Sequence, residues 1–199
     1  MPRLDQIKMQ LKKGRVYRRS DLEKWSNAVD RHLAMLLRDG ILQKLSQGVY
    51  HYPKETAFGK TPPDEHELVR RFLKDDNFLL ISPNDYNTLG VGTTQLYNKR
   101  TVYNHKRHGK FKLGNRTFHF QMKPYFPKEL SPAFLLVDLV NNVKNLAEDQ
   151  DAVLEKVKAK VPGMESKMLS HAVKRYGTVK SKKFFDIMNK TPKLLAEYT

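Results

Sequence analysis

The segment from Ser26 to Gly40 constrains the fold more than any other part of the chain. Its apolar side chains fall on one stripe when residues are placed about 100° apart around a helix. They are Val29, Leu33, Leu36 and Leu37. Ser26 can cap the start of this helix, and Gly40 predicts its end, because glycine readily adopts the left-handed conformation that stops a helix. The pattern therefore predicts an amphipathic helix with one buried face.

The elements predicted on either side of this helix define the class of the first domain. Apolar spacing predicts a helix over residues 4–11, and residues 15–18 predict a short strand. The S-x-x-E pattern of Ser20 and Glu23 predicts a capping box that opens a second helix. Two β-prone runs within residues 41–52 flank a Ser-Gln-Gly turn and predict a hairpin. The order helix, strand, helix, helix, hairpin is typical of a winged helix-turn-helix.

A change in composition marks the end of this first domain. Residues 53–63 contain three prolines and one glycine, a composition that favours a connection between domains. The sequence therefore predicts a winged helix-turn-helix over residues 1–60. A second, mixed domain is predicted over residues 61–199.

The second domain combines strands with helices. Thr61 is expected to cap a helix, and four β-prone runs follow between residues 78 and 123. Two of these runs are joined by Gly114-Asn115, a two-residue hairpin signal, so a small antiparallel sheet is expected. Ser131-Pro132 then predicts the start of the carboxyl-terminal helices. The predicted fold class of the whole chain is α+β.

The charge of the chain favours a polyanionic partner. The 199 residues include 37 Lys and Arg against 21 Asp and Glu, a formal net charge of +16, and a surplus of this size suits nucleic acid. The absence of cysteine excludes disulfides, thiol nucleophiles and Cys-ligated zinc. No apolar run approaches the roughly 18–20 residues that span a bilayer, and the first ten residues lack the apolar stretch of a signal peptide. We therefore expect a cytoplasmic protein without a membrane partner.

The face of the central helix opposite the leucine stripe suits the reading of DNA. It holds Asn27, Arg31, Ala34 and Arg38. Arginine can bond bidentately to guanine and asparagine to adenine, while alanine lets a helix settle into the major groove. A solvated helix face has a similar composition, so this prediction depends on the place of the helix between a capped helix and a hairpin. The side chains predicted to contact bases or phosphates are Arg18, Arg19, Lys24, Ser26, Asn27, Arg31, Arg38, Lys44 and Gln47.

A second basic region lies in the predicted sheet. From Tyr86 to Lys128 the sequence contains nine Lys or Arg and no Asp or Glu. Basic residues interleaved with aromatic ones on strands suit single-stranded nucleic acid, although strand alternation equally predicts that the aromatic rings pack in a core. We expect the charges to form a second nucleic-acid or partner surface. Its members are Lys99, Arg100, Lys106, Arg107, Lys110, Lys112 and Arg116.

No motif in the sequence indicates a catalytic or metal site. His66-Glu67 lacks the second histidine of the H-E-x-x-H zinc motif, since Arg70 occupies that position. His105 and His108 are separated by two basic residues that repel a cation. Gly90-Val91-Gly92 lacks the remaining residues of a phosphate-binding loop. The sequence predicts a protein that is not an enzyme and needs neither metal nor cofactor.

Residues 19–63 resemble the AbiEi family of type IV antitoxins and its orphan relatives. The matching stretch is RSDLEKWSNAVDRHLAMLLRDGILQKLSQGVYHYPKETAFGKTPP, and the match is closest over residues 28–59. It continues more loosely through LGVGTTQLYNKRTVY and AVKRYGTVKSKKFFDIM. The resemblance implies an amino-terminal winged helix that represses the operon's own promoter. It also implies a carboxyl-terminal domain that antagonises AbiEii-type nucleotidyltransferase toxins, although the basic, aromatic-rich β segment departs from the family pattern.

Together, the residues and the resemblance predict a DNA-binding transcriptional repressor that is the antitoxin of a type IV toxin–antitoxin system. Its expected partners are a double-stranded operator with inverted repeats and a nucleotidyltransferase toxin or that toxin's tRNA substrate. Two alternatives stay open. One is an RNA-binding protein that uses the β segment over residues 97–123, and the other is an enzyme acting on nucleic acid through residues distant in sequence.

Overall fold

The computed structural model describes residues 3–91 and 96–196, with side chains over 4–91 and 96–188. The chain divides into two compact units. The first unit is Met1–Phe78 with Lys106–Phe120, and the second unit is Leu79–His105 with Gln121–Thr199. Residues 61–78 and 106–120 therefore group with the first unit, whereas the sequence predicted a domain boundary after residue 60.

The first unit begins with helices and strands in the order that the sequence predicts. They are α1 (Arg3–Gln10), β1 (Val16–Arg18), α2 (Arg19–Glu23), α3 (Val29–Arg38), β2 (Gln43–Ser46) and β3 (Val49–His51). The three strands form an antiparallel sheet in the order β1-β3-β2. Residue 51 lies opposite Val16 on one side and Gln43 on the other, so β3 is the central strand.

Helix α3 packs its predicted stripe into the core of the first unit. Val29, Leu33 and Leu36 are buried together with residues of α1, α2 and the sheet. Gly40 follows the helix with a φ of 68°, so the predicted left-handed stop is confirmed. Because one face of α3 is held in this core, its other face is fixed towards solvent.

The start of α2 differs from the prediction. The helix begins at Arg19, and the carboxylate of Asp21 accepts a hydrogen bond from the backbone N–H of Arg18 at 2.9 Å. Ser20 therefore lies inside the helix, and the capping box predicted for Ser20 and Glu23 is wrong. Asp21 is one residue past the predicted cap and meets the free amide at the true helix start.

The predicted linker contains a short hairpin, and the helix that follows it has a different cap from the predicted one. Strands β4 (Glu55–Thr56) and β5 (Gly59–Lys60) pair antiparallel, and helix α4 (Glu65–Leu73) follows. Asp64 caps α4 by accepting a hydrogen bond from the Glu67 amide at 2.7 Å. Thr61 was predicted as this cap, but its hydroxyl instead accepts a hydrogen bond from the Lys54 amide at 3.2 Å.

Four longer strands follow α4. They are β6 (Phe78–Ile81), β7 (Arg100–Asn104), β8 (Gly109–Leu113) and β9 (Arg116–Met122). Strands β8 and β9 form an antiparallel hairpin around Gly114-Asn115, which confirms the predicted turn. In the first unit, Phe111 of β8 and Phe120 of β9 each lie 5.3 Å from the ring of Phe72 in α4. These ring contacts explain why the hairpin groups with α4.

The second unit is mainly helical. Its helices are a 3₁₀ helix (Pro83–Leu89), α5 (Pro132–Asn142), α6 (Gln150–Lys160), α7 (Ser166–Tyr176) and α8 (Val179–Ala196). Helix α5 starts at Pro132, as predicted, and the Ser131 hydroxyl caps it by accepting a hydrogen bond from the Phe134 amide. The 3₁₀ helix was not predicted. Among the residues that the structure describes, no helix has the length and apolar character needed to cross a lipid bilayer. The α+β fold class is confirmed.

The buried His51 makes stability depend on pH. Its ring is fully buried in β3, and neither ring nitrogen has a hydrogen-bond partner among the described residues. Burial lowers the pKa of His51 from its ordinary 6.5, because the charged imidazolium would lose its hydration. The unfolded chain therefore binds the proton more readily. Stability is fully present above pH 6.5 and decreases as the pH falls below it.

We expect His51→Leu to flatten this pH dependence. Urea unfolding at pH 8 and pH 5.5 measures it, and each unit by which the pKa is lowered corresponds to about 1.4 kcal/mol. His108→Gln, at an exposed position, is the control and should keep the dependence because His51 is still present. An equally steep loss of stability in the His51→Leu protein would show that another group is responsible.

Candidate nucleic-acid interface

The exposed face of α3 is the centre of the candidate interface. Arg31, Ala34 and Arg38 are exposed on it, opposite the buried stripe. Arg38 keeps three quarters of its side chain in solvent and lies 3.5 Å from Asp39. Asn27 is also exposed, but it lies in the turn before the helix, since α3 begins at Val29. The structure thus presents all four predicted residues to solvent, with Asn27 at the amino-terminal end.

Ser26 does not point outward as the DNA-contact prediction requires. It is buried, and its hydroxyl lies 2.6 Å from Nδ1 of the buried His32 in α3. The same hydroxyl accepts a hydrogen bond from the Ala28 amide at 3.1 Å. Ser26 therefore fixes the turn between α2 and α3. The residue at the cap position of α3 is Ala28, whereas the sequence predicted Ser26 as the cap. The sequence signal for this pairing was His32, a polar residue beside the leucine stripe.

Arg19 is held by acidic residues. Its guanidinium donates hydrogen bonds to both carboxylate oxygens of Asp30, at 2.8 and 2.7 Å, and it also pairs with Glu23. These hydrogen bonds hold the pKa of the Asp30 carboxyl below its usual range. Arg19 links α2 to the first turn of α3, so a phosphate would compete with two carboxylates for it.

Arg18 is partly withdrawn from solvent. Its Nε is buried without a hydrogen-bond partner among the described residues. Burial lowers the pKa of Arg18, although the nearby Asp21 acts in the opposite direction. Of the predicted phosphate contacts, Lys24, Lys44 and Gln47 are exposed. Gln47 lies at the turn between β2 and β3, and Lys44 lies on β2, at the edge of the sheet.

The residues of the second basic region are divided between the two units. Lys99 and Arg100 belong to the second unit, where the Arg100 guanidinium donates to the Ser82 hydroxyl at 3.3 Å. The other five residues belong to the first unit. They are Lys106, Arg107, Lys110, Lys112 and Arg116.

Three of these five basic side chains already have partners. Lys106 lies 2.8 Å from a carboxylate oxygen of Asp75. The guanidinium of Arg107 stacks 4.6 Å over the ring of Phe72, and Arg116 pairs with Glu65. Lys110 and Lys112 are exposed at alternate positions of β8. Of these five residues, Lys110 and Lys112 are the two that form neither an ion pair nor a ring contact among the described residues.

The aromatic rings of the β segment are packed rather than presented. Phe118 and Phe120 are 0 and 1% exposed, and Tyr103 is 2% exposed. Tyr97 is half-buried, and its hydroxyl accepts a hydrogen bond from the Ala147 amide at 3.0 Å. The rings of Phe118, Phe120 and Tyr103 therefore have no free face on which bases could stack, in line with the alternative that strand alternation predicted.

Sequence reasoning missed a buried polar network in the second unit. The Asp138 carboxylate accepts hydrogen bonds from the hydroxyls of Tyr86 and Tyr103, at 2.8 and 3.0 Å. Lys123 lies 3.5 Å from the same carboxylate, and Asn142 donates to the Tyr103 hydroxyl at 3.3 Å. Burial, followed by the charge of Asp138, raises the pKa of Tyr103. The signal was available, because Asp138 is the one charged residue of α5.

His66, Glu67 and His105, which were considered for metal binding, contact aromatic rings or an arginine. Glu67 is buried and lies 3.2 Å from the Arg15 guanidinium, while the His66 ring lies 4.5 Å from that of Phe78. The ring of His105 stacks on Phe126. Over the residues that the structure describes, no three His, Cys, Asp or Glu side chains gather where a metal ion could bind. Gly92 of the Gly-Val-Gly stretch lies outside the described residues.

Comparison with known protein families gives a match that covers the whole candidate interface. The sequence profile of DUF6088, a family of unknown function, matches residues 3–173. A search of curated proteins found no match. The matched range includes α3, the three-stranded sheet and the β8–β9 hairpin.

Proposed function

This chain belongs to the DUF6088 family, whose function is unknown, and we propose that it binds double-stranded DNA through α3 and represses transcription. The exposed face of α3 carries the proposal, because it presents two arginines directly opposite a buried apolar stripe. A helix held in this way can enter the major groove without disturbing the core. Arg31 and Arg38 are then placed to reach base edges.

The elements around α3 support a winged helix-turn-helix. Helix α2 precedes α3 through a turn fixed by Ser26, and the β2–β3 hairpin follows it within an antiparallel sheet of order β1-β3-β2. In this proposal α3 is the recognition helix and the β2–β3 hairpin is the wing. Lys24 before α3 and Lys44 and Gln47 on the hairpin are exposed and contact phosphates.

We expect Arg31→Ala to weaken binding to a preferred duplex by about 1–3 kcal/mol, which is about 5- to 150-fold. Because a bidentate contact reads a single base, its loss should also reduce the preference for one base pair at one position of the duplex. The duplex is first selected from a random library with the full chain. Dissociation constants are then measured for this duplex and for its single-base-pair variants.

The control for this prediction is Arg175→Ala, which removes an exposed guanidinium from α7 in the second unit. It should leave both affinity and base preference unchanged. Equal losses on the selected and random duplexes would make Arg31 a phosphate contact. Unchanged binding by Arg31→Ala would exclude α3 as the recognition helix.

We also propose the antitoxin role that the resemblance of residues 19–63 implies. In this role the chain represses an operon that also encodes a nucleotidyltransferase toxin, and it counteracts that toxin. The test is co-expression with a nucleotidyltransferase encoded beside the gene. Restored growth is the expected result, and growth arrest despite co-expression would contradict the role. Arg31→Ala should lose repression and keep the rescue, because the resemblance implies repression by the amino-terminal winged helix and toxin antagonism by the carboxyl-terminal domain.

A further inference from the structure

The β8–β9 hairpin has one outward face made of hydrogen-bond donors and free of carboxylates. Cross-strand pairing places Lys110 opposite His119 and Lys112 opposite Thr117. Side chains alternate along a strand, so these four residues share one face. Lys110, Lys112 and Thr117 are exposed and His119 is half-buried. We call this face the donor strip.

The opposite face of the hairpin is anchored in the first unit. Leu113 and Phe118 are 1 and 0% exposed, and the rings of Phe111 and Phe120 pack against Phe72. The hairpin is therefore fixed by its apolar side. The donor strip is held towards solvent in the same way as the exposed face of α3.

The turn of the hairpin is joined to the sheet beside α3. The Gly114 amide donates a hydrogen bond of 2.7 Å to the carbonyl of Leu45 in β2. A side chain at position 114 would meet Leu45 at 3.0 Å, and Gly114 has a φ of 62°, so glycine suits this close approach. Leu45 is adjacent to Lys44, a proposed phosphate contact. The donor strip thus belongs to the same compact unit as the proposed recognition helix.

The electrostatics of the strip single out its two lysines. Lys106 and Arg116 are paired with carboxylates, and Arg107 is stacked on Phe72. Neither Lys110 nor Lys112 forms an ion pair among the described residues, and the strip itself contains no acidic residue. Lysine is a hydrated point charge suited to phosphate rather than to a base edge.

We propose that the donor strip contacts the phosphate backbone of double-stranded DNA and extends the footprint of α3. This inference rests on the proposed function. Duplex DNA fits better than single-stranded RNA, because the aromatic rings of the hairpin lie on its buried face and offer no stacking platform. Backbone contacts of this kind add affinity and set the register of the protein on DNA without reading sequence.

The test is the double variant Lys110→Gln/Lys112→Gln in the full chain. Each lost phosphate contact should make the slope of log affinity against log salt shallower by about 0.9, hence by about 1.8 for both. At 0.1 M salt, affinity should fall about ten- to sixtyfold, equally for the selected duplex and a random duplex of the same length. Base preference should not change, which separates this variant from Arg31→Ala.

Two further variants make the comparison specific. Lys156→Gln/Lys160→Gln removes two exposed charges from α6 in the second unit and should behave as the unchanged chain. Lys110→Arg/Lys112→Arg keeps both charges and should retain the salt slope. Thermal melting checks the fold. If the double glutamine variant melts at a lower temperature than the unchanged chain, the two single variants are used instead, and each should make the salt slope shallower by about 0.9.

The proposal is overturned if the double glutamine variant has the salt slope of the α6 control. It is also overturned if duplex binding is unchanged while binding to tRNA falls, since the strip would then serve RNA. Failure of the proposed function gives a different result. In that case no preferred duplex is selected and Arg31→Ala has no effect, while the strip is still measured on the random duplex.

Discussion

Replacing Asp138 by alanine should lower the free energy of unfolding by about 3–5 kcal/mol. The carboxylate is 1% exposed and accepts hydrogen bonds from Tyr86 and Tyr103. Its removal leaves both hydroxyls without their acceptor inside the second unit, and Lys123 without its carboxylate. Each unsatisfied buried group costs about 1–3 kcal/mol. Urea unfolding followed by circular dichroism measures the loss.

Two variants test whether the network is the cause. Asp138→Asn keeps the size of the side chain and one acceptor oxygen, so we expect a smaller loss than with alanine. Asp151→Ala, on the exposed surface of α6, should change stability by about 0.5 kcal/mol or less. If alanine and asparagine at position 138 are both as stable as the unchanged chain, the tyrosine hydroxyls have other partners and the network does not stabilise the fold.

The elements that the sequence predicted best are those fixed by local physics. The stripe of α3 is a periodic pattern, and Gly40 and Gly114 are positions where backbone conformation selects the residue. Ser131 caps α5 through a contact only three residues away. Such features need no knowledge of the rest of the chain, so a single sequence indicates them well.

The features that were missed depend on contacts between distant residues. Arg19 has the side chain of a phosphate contact, but in the fold its guanidinium is hydrogen-bonded to Asp30, which lies eleven residues away in sequence. Ser26 looks like a cap, yet it bonds to the side chain of His32. Asp138 and Tyr86 are separated by 52 residues, and no local pattern joins them. A residue type therefore indicates what a side chain can bind, whereas the fold decides what it does bind.

This distinction also narrows the candidate interface. The sequence named seven basic residues as a second surface, and the structure assigns two of them to the second unit and gives three of the others partners. The outward pair, Lys110 and Lys112, follows from the register of β8 against β9. The pattern of charges alone does not determine the pairing of β8 with β9, because a shift of β8 by one residue would move both lysines to the other face.

Leu36→Ala should separate the stability of the first unit from its proposed recognition of DNA. Leu36 is fully buried in the core that holds α3, so truncation leaves a cavity and should lower the free energy of unfolding by about 2–5 kcal/mol. Leu37→Ala in the same helix is the matched control. Leu37 is only partly buried, so a smaller loss is expected for the same chemical change.

The effect of Leu36→Ala on DNA binding follows from its position. Its side chain lies on the face of α3 opposite Arg31, so the folded fraction keeps the proposed contacts and should bind the selected duplex with nearly unchanged affinity at low temperature. Arg31→Ala should show the reverse, with stability retained and affinity lost, because its side chain is exposed. Binding isotherms at 10 °C, corrected by the folded fraction from circular dichroism, measure both variants. If the folded Leu36→Ala protein fails to bind, recognition depends on the packing beneath α3 as well as on the side chains that α3 exposes.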